Sequence, residues 1–180
     1  AGTGKTTLLS ILCSQKSIKD GKVLLLAPTG KARVMMEKEM KHLDLRGFTI
    51  AQFLHSSGRF DGETQRFRLM DLSEKPPSYM GDTVIIDEAS MLTEEMLAAV
   101  LNGLTGYKRL ILVGDPYQLP PIGPGRPFMD IISTLKPDNF EDSSVNVAPS
   151  YAELTVNRRQ IKAKEERKDI NLARWFRGDS

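Results

Sequence analysis

The chain has 180 residues, of which 40% are hydrophobic, and its 25 basic and 23 acidic side chains give a formal net charge of +2. This length supports one hydrophobic core and excludes two domains of ordinary size, and so balanced a charge does not by itself indicate nucleic-acid binding. No apolar run approaches the ~20 residues that a membrane-spanning helix needs, and no signal-peptide pattern opens the sequence. The only cysteine, Cys13, fits a core position. We expect one domain in a reducing, cytoplasmic setting.

Strands and helices are predicted to alternate along most of the chain. The helical patterns cover Thr6 to Gln15, Lys31 to His42 and Glu94 to Leu104, the last with Thr93 as its N-cap. Apolar runs typical of strands that are covered on both faces extend from Val23 to Ala27, Val84 to Ile86 and Leu110 to Val113. The alternation predicts an α/β fold around a parallel sheet. Two stretches interrupt it, a polar insertion over about residues 56–81 and a surface connection over 136–150.

The chain opens on a glycine-rich run that matches the second half of the phosphate-loop pattern G-x-x-x-x-G-K-[ST]. In that pattern backbone amides bind phosphate oxygens, Lys5 neutralises the β- and γ-phosphates, and the Thr6 hydroxyl ligates Mg²⁺. Taken alone, half a motif could also be a chance turn. Because the first glycine of the pattern would precede Ala1, we expect this chain by itself to bind ATP weakly or not at all. The predicted ATP-binding residues are Gly2, Thr3, Gly4, Lys5, Thr6 and Thr7.

A pair of carboxylates, Asp87 and Glu88, follows the apolar run that ends at Ile86. Ligands of open α/β sheets gather at the carboxyl ends of the strands. There Asp87 would hold Mg²⁺ through a water molecule, and Glu88 would orient and polarise the attacking water as a general base. In isolation the pair could equally end a strand and cap a helix. A phosphate loop about 80 residues earlier favours the site over the cap.

Five segments in this order and spacing resemble motifs I, Ia, II, III and IV of RecD-like superfamily-one helicases: Gly2 to Thr6, Ala27 to Ala32, Ile86 to Met91, Gly114 to Pro120 and Asn157 to Gln160. The resemblance implies a P-loop NTPase with a RecA-like sheet. It implies that Gln118 senses the γ-phosphate and that Arg159 reaches that phosphate as an arginine finger. It also places single-stranded DNA on Pro28, Thr29, Gly30 and Lys31, at the start of a helix beside a lysine.

One position departs from the family pattern. Phe48-Thr49-Ile50-Ala51 has alanine where the family places a histidine, so the role of that histidine has no counterpart here.

The expected function is that of an ATP-dependent DNA helicase motor. Residues 1–180 would form its first RecA-like domain, which uses ATP and Mg²⁺ and couples hydrolysis to translocation on single-stranded DNA. Other subunits of a helicase–nuclease complex are candidate partners. The helicase portion of a conjugative relaxase and a nucleotide-gated module without motor activity stay as alternatives. Since a second RecA-like domain is absent from the sequence, we expect no unwinding by this chain alone.

Within the insertion, Asp61-Gly62 predicts a two-residue turn in a β-hairpin over Ser57 to Arg68. The pairs that this turn would form are Phe60 with Glu63 and Gly58 with Gln65. The hairpin would project from the domain and separate DNA strands, as an insertion at this place does in RecD-like helicases. A solvent-exposed loop without DNA contact is the alternative. The cations expected to contact DNA phosphates are Arg59, Arg66 and Arg68.

Overall fold

The computed structural model describes residues 4–73, 79–138, 140 and 147–154. Of these, residues 6–131 form the larger of two compact units, and residues 4–5 together with those from 132 onward belong to the smaller. In the described part of the chain, no helix is both long and apolar enough to cross a membrane.

The helices, in chain order, are α1 (Lys5–Ser14), α2 (Lys16–Lys19), α3 (Gly30–Glu39), α4 (Ile50–Ser56), α5 (Glu94–Asn102) and α6 (Pro127–Leu135). The strands are β1 (Val23–Ala27), β2 (Gly47–Thr49), β3 (Phe60–Asp61), β4 (Arg66–Phe67), β5 (Tyr79–Met80), β6 (Thr83–Ile86), β7 (Leu104–Thr105), β8 (Arg109–Leu112), β9 (Val147–Ala148) and β10 (Tyr151–Ala152). Turns of 3₁₀ helix occupy Lys41–Leu43 and Ala89–Met91.

The larger unit is built on a parallel sheet in the order β2-β1-β6-β8. Its strands β1, β6 and β8 correspond to the three apolar runs in the sequence. Every residue of β6 is buried, and β1 is buried from Leu24 onward. The central strands are therefore covered on both faces, as continuous apolar runs predict.

The core beneath α1 and α3 joins side chains from both helices to the middle of the sheet. Its buried members are Leu9, Cys13, Leu25, Ala27, Met36, Met40 and Ile85. Cys13 is 1% exposed, which confirms its predicted core position. Burial also raises the pKa of its thiol, because the charged thiolate loses hydration. The thiol is therefore protonated and shielded in the folded protein.

The short strand β2 and helix α4 were not predicted. Three residues are too few for an apolar run to stand out, and α4 spans only seven. Their junction is a capping box: the Thr49 hydroxyl accepts from the Gln52 amide at 3.1 Å, and the Gln52 side chain accepts from the Thr49 amide at 2.8 Å. The Thr-x-x-Gln spacing was the available sequence signal. Ala51 lies half-buried in the first turn of α4.

The insertion does contain a hairpin, but the predicted pairing is wrong. Phe60 pairs with Phe67 and Asp61 with Arg66. The Asp61 carboxylate accepts from the amides of Glu63 and Thr64 at 3.0 and 3.2 Å, which produces a longer turn than the two-residue one expected. The rings of Phe60 and Phe67, 5.2 Å apart, fix this register. We call residues 60–67 the hairpin.

The base of the hairpin also differs from the prediction. Arg59, expected on DNA, is 0% exposed, and its backbone carbonyl accepts from the Arg68 amide at 2.8 Å. Strand β5, which lies in the predicted polar insertion, pairs in parallel with β7. The insertion is thus fastened to the domain at both of its ends.

In the smaller unit, β9 and β10 form an antiparallel pair inside and just after the segment that was predicted to be a surface connection. Phe140 is buried within that segment, with its ring against Tyr151 at a centroid distance of 5.2 Å. Lys136 bonds Glu153 at 3.0 Å. The described residues of this segment therefore include a buried ring and a strand, which the prediction of a surface connection did not anticipate.

We predict that Thr49→Ala lowers the free energy of unfolding by about 1 kcal/mol, because the start of α4 loses its side-chain cap. Urea unfolding followed by circular dichroism measures the change. Thr49→Ser keeps the hydroxyl and serves as the matched control. Equal stability of the alanine and serine variants would contradict a stabilising role for the cap.

Candidate functional site

Two loops lie side by side at the carboxyl ends of β6 and β8. The Val113 amide donates to the Ile86 carbonyl at 2.9 Å, and the Ala89 amide donates to the Val113 carbonyl at 2.8 Å. The Asp87 amide donates in turn to the Leu26 carbonyl at 2.9 Å, which ties the loop to β1. Backbone hydrogen bonds therefore hold the loop after β6 between its two neighbouring strands.

Asp87 is the first residue beyond β6 and is only 6% exposed. Its Oδ1 atom accepts from the Glu88 amide at 2.9 Å. This bond and the backbone bond to β1 fix the carboxylate at the strand end. A buried and oriented carboxylate at this edge has the placement expected of a metal ligand.

Glu88 has two features that an ordinary loop residue lacks. Its backbone is left-handed, with φ of 52° and ψ of 39°, a conformation that is uncommon for a residue with a side chain. Among the described residues, its buried Oε2 atom has no hydrogen-bond partner. Leaving a buried carboxylate oxygen unsatisfied costs free energy. Strained backbone and an unsatisfied polar atom together are typical of a position that serves a ligand.

Gln118 lies in the loop after β8 and reaches the loop after β6. The Ser90 hydroxyl donates to its Oε1 atom at 3.4 Å. The buried Asp115 shapes this turn, since its carbonyl accepts from the Gln118 amide and its Oδ1 from the Tyr117 amide, both at 3.1 Å. The two loops thus carry Asp87, Glu88 and Gln118 at one edge of the sheet.

The close approach of these loops depends on Gly114. A Cβ atom at this position would lie 2.8 Å from the Phe128 ring and 2.9 Å from the Ser90 amide, distances that real side chains do not adopt. Phe128 itself is buried at the start of α6, a helix that the sequence analysis did not assign. Its first residue, Pro127, is the signal that was available.

Sequence reasoning also missed Arg126. This exposed arginine lines a small cavity of about 80 Å³ that Ser90 and Gln118 line as well. It therefore places a cation beside the glutamine of the loop after β8.

The glycine-rich run at the start of the chain is described from Gly4 onward. Gly4 has φ of 89°, a value that favours glycine. Lys5 is the first residue of α1, and Thr6 and Thr7 follow in its first turn. Lys5 and Thr6 are half-buried and Thr7 is exposed. Three other predicted site residues, Gly2, Thr3 and Arg159, lie outside the described residues.

The segment after β1 starts α3. Thr29 is extended and caps the helix, since its hydroxyl accepts from the Ala32 amide at 3.2 Å. Accepting this bond leaves the hydroxyl hydrogen able to donate to an anion. Pro28 is half-buried, whereas Gly30 and Lys31 are exposed. Exposed amides at a helix start beside a lysine form a suitable contact for phosphate.

Comparison with known proteins matches residues 1–174 to the model of a family described as an AAA domain. The chain is 32% identical to RecD, a RecBCD enzyme subunit of Mycolicibacterium smegmatis, over 74% of this chain and 26% of that protein. It is 31% identical to the ATP-dependent RecD2 DNA helicase of Deinococcus radiodurans, over 71% of this chain and 16% of that protein. The chain thus spans about a quarter or less of the length of these relatives.

A solved structure shares the fold. The crystal structure of Bacteroides sp Pif1 in complex with ADP-AlF4 aligns with a TM-score of 0.54 at 23% identity, covering 100% of this chain and 41% of that one. Together with the parallel sheet, this likeness confirms the predicted α/β, RecA-like fold. The chain belongs to the AAA domain family matched by residues 1–174 and is a RecD-like superfamily-one motor domain.

Proposed function

We propose that the protein carrying this domain is an ATP-dependent DNA helicase, and that this domain binds ATP, Mg²⁺ and single-stranded DNA. The observation that carries the proposal is the buried, unsatisfied Glu88 oxygen in the loop after β6, a loop that the bond between Ser90 and Gln118 joins to the loop after β8. Such an oxygen would accept a hydrogen bond from a water molecule that attacks a phosphate.

The phosphates would lie at the start of α1. There the Lys5 ammonium would neutralise the β- and γ-phosphates, and helix amides would donate to their oxygens. In the part of the chain that the structure describes, no cluster of three or more His, Cys, Asp or Glu side chains could hold a metal. A Mg²⁺ ion with phosphate and water ligands does not need such a cluster. Thr6 and, through water, Asp87 would complete its oxygen ligands, and the ion would stabilise the charge that develops on the phosphates.

Hydrolysis would use the geometry of the two loops. Glu88 would orient and deprotonate the attacking water, whose hydrogen bond satisfies the buried Oε2 atom. Gln118, held by Asp115 and Ser90, would contact the γ-phosphate or the water and so report the nucleotide state to the rest of the domain. Arg159 would supply a further positive charge to the γ-phosphate, a role that rests on the resemblance to RecD-like motor domains.

Single-stranded DNA would contact the start of α3. The exposed Lys31, the Thr29 hydroxyl and the backbone of Gly30 are suited to phosphate oxygens, and Pro28 sets the direction of the chain. Contacts of this kind position the strand without reading its sequence.

The relatives favour the helicase over the relaxase and the module without motor activity. Because one relative is a subunit of the RecBCD enzyme, other subunits of a helicase–nuclease complex are proposed as partners, with roles in DNA repair and recombination. A reducing cytoplasmic setting stays a prediction that rests on the single cysteine.

We predict that Glu88→Gln in the full helicase lowers DNA-stimulated ATP turnover by about 100-fold or more, because the water loses its base. ATP affinity should stay near that of the wild type, whereas Lys5→Ala should lose affinity as well. Steady-state ATPase assays and nucleotide titration separate the two. Glu95→Gln, which replaces an exposed carboxylate of α5 by a carboxamide, is the matched control. Turnover of Glu88→Gln within about threefold of wild type would refute the assignment of the base.

We also predict that the hairpin separates DNA strands at a fork. The Arg68 amide and the Arg59 carbonyl already form a hydrogen-bonded pair, so residues 60–67 can be replaced by Asn-Gly in a tight turn. This deletion should abolish unwinding of forked DNA and preserve ATPase activity on single strands, because it removes the exposed Arg66 and the hairpin tip but leaves the nucleotide site intact. Unimpaired unwinding would rule out the strand-separating role.

A further inference from the structure

The segments that flank the hairpin on both sides meet a single side chain. Asn102, the last residue of α5, accepts at Oδ1 from the Arg59 Nε atom at 2.7 Å and from the Met70 amide at 3.0 Å. Its Nδ2 atom donates to the Met70 carbonyl at 3.1 Å. The carboxamide therefore pairs with the backbone of Met70 as a peptide group pairs in a sheet, while it also holds the residue that enters the hairpin.

The Arg59 side chain is built into the domain rather than presented to solvent. Its Nη1 atom donates to the Ser57 carbonyl at 3.2 Å, and its backbone amide donates to the Leu54 carbonyl at 2.7 Å. A Cβ atom on Gly103 would lie 3.3 Å from the Arg59 Cδ atom, which is tighter than most contacts of this kind. The glycine thus leaves room for the arginine at the end of α5. The negative end of the helix dipole favours a cation at this place.

The hairpin itself is short. Its strands are two residues each, and its loop over residues 62–65 is exposed. A two-stranded hairpin of this size is marginally stable by itself. Contacts at its base therefore help to fix its orientation, and Asn102 contributes to both sides of that base.

Helix α5, which carries Asn102 at its last position, begins close to the proposed nucleotide site. Helix α5 begins at Glu94, shortly after Glu88, with the Thr93 hydroxyl accepting from the Met96 amide at 3.2 Å. A helix of nine residues is about 13 Å long and does not bend easily over that distance. It can therefore act as a rigid spacer between the loop after β6 and the hairpin.

We propose that Asn102 and Arg59 form a clasp that holds the hairpin in a fixed direction on α5, and that they are positioning residues for strand separation. The proposal rests on the proposed helicase function, in which the hairpin meets the duplex at the fork. Loosening the clasp should leave ATP hydrolysis and single-strand binding intact, because none of its residues lies at either site. Loosening the clasp should impair only strand separation at the fork.

The first measurement is hydrogen exchange of the full helicase without DNA. Asn102→Ala should speed exchange of the Met70 and Arg68 amides by about tenfold, since the hydrogen bonds to Met70 are lost. The Asp87 and Val113 amides, which donate to carbonyls of β1 and β6, should exchange as in the wild type, which shows that the domain is folded. Asn102→Asp keeps the acceptor for Arg59 and Met70 but loses the Nδ2 donor to the Met70 carbonyl, and should retain part of the protection. Leu101→Ala, a change at the neighbouring exposed position, is the control.

The second measurement compares unwinding of forked DNA with ATPase activity on single strands for the same variants. Asn102→Ala should lower unwinding by about fivefold or more and change ATPase activity by less than about twofold, and Asn102→Asp should restore part of the unwinding. Unchanged amide exchange in Asn102→Ala would overturn the clasp whatever the activity. Faster exchange with normal unwinding would overturn its positioning role. If the wild-type protein itself does not unwind DNA, the helicase function fails and the positioning role fails with it, while exchange still reports on the clasp.

Discussion

The site depends on the register between β6 and β8. Ile86 pairs with Leu112, so both strands end at the same level and their loops continue side by side through the bonds between Val113 and the residues around Asp87. A shift of one residue would turn the strand side chains to the opposite faces and carry Gln118 away from Glu88. The absence of a side chain at Gly114 allows the loops to pack without displacing Phe128. Chemistry at this edge is therefore a consequence of how these two strands pair.

Much of the sheet could be predicted, because its strands are unbroken apolar runs that bury both faces. Strand β2 and helix α4 could not, since three and seven residues leave too little pattern to stand out, and helix α6 was missed although it is as long as α5. The sequence features that mark these two helices are confined to their first residues: the capping box at Thr49 and the proline that starts α6. The hairpin was predicted from Asp61-Gly62, but its register follows from the Asp61 side chain and the contact between Phe60 and Phe67. Tertiary contacts and side-chain bonds override the preference of a dipeptide.

For the candidate site, residue types and spacing predicted which strand ends would carry chemistry. They could not predict the left-handed backbone of Glu88, its unsatisfied oxygen, or the bond between Ser90 and Gln118, because these arise from packing between segments that are distant in sequence. Arg59 shows that sequence patterns can also predict a contact that the fold does not allow. A basic residue in a polar segment suggests a DNA contact, yet this arginine is fully buried against α5. Sequence patterns report charge but not burial, and here burial changes the assignment of the residue.

The buried thiol of Cys13 has a practical consequence for studying this domain. As the sole cysteine of the 180-residue sequence, it is shielded in the core and kept protonated. A maleimide fluorophore would therefore react with a cysteine introduced at an exposed site, such as Glu63→Cys at the hairpin tip, far faster than with Cys13. Fluorescence can then follow the movement of the hairpin in a domain whose native cysteine has been left in place, so that the packing around α1 is undisturbed.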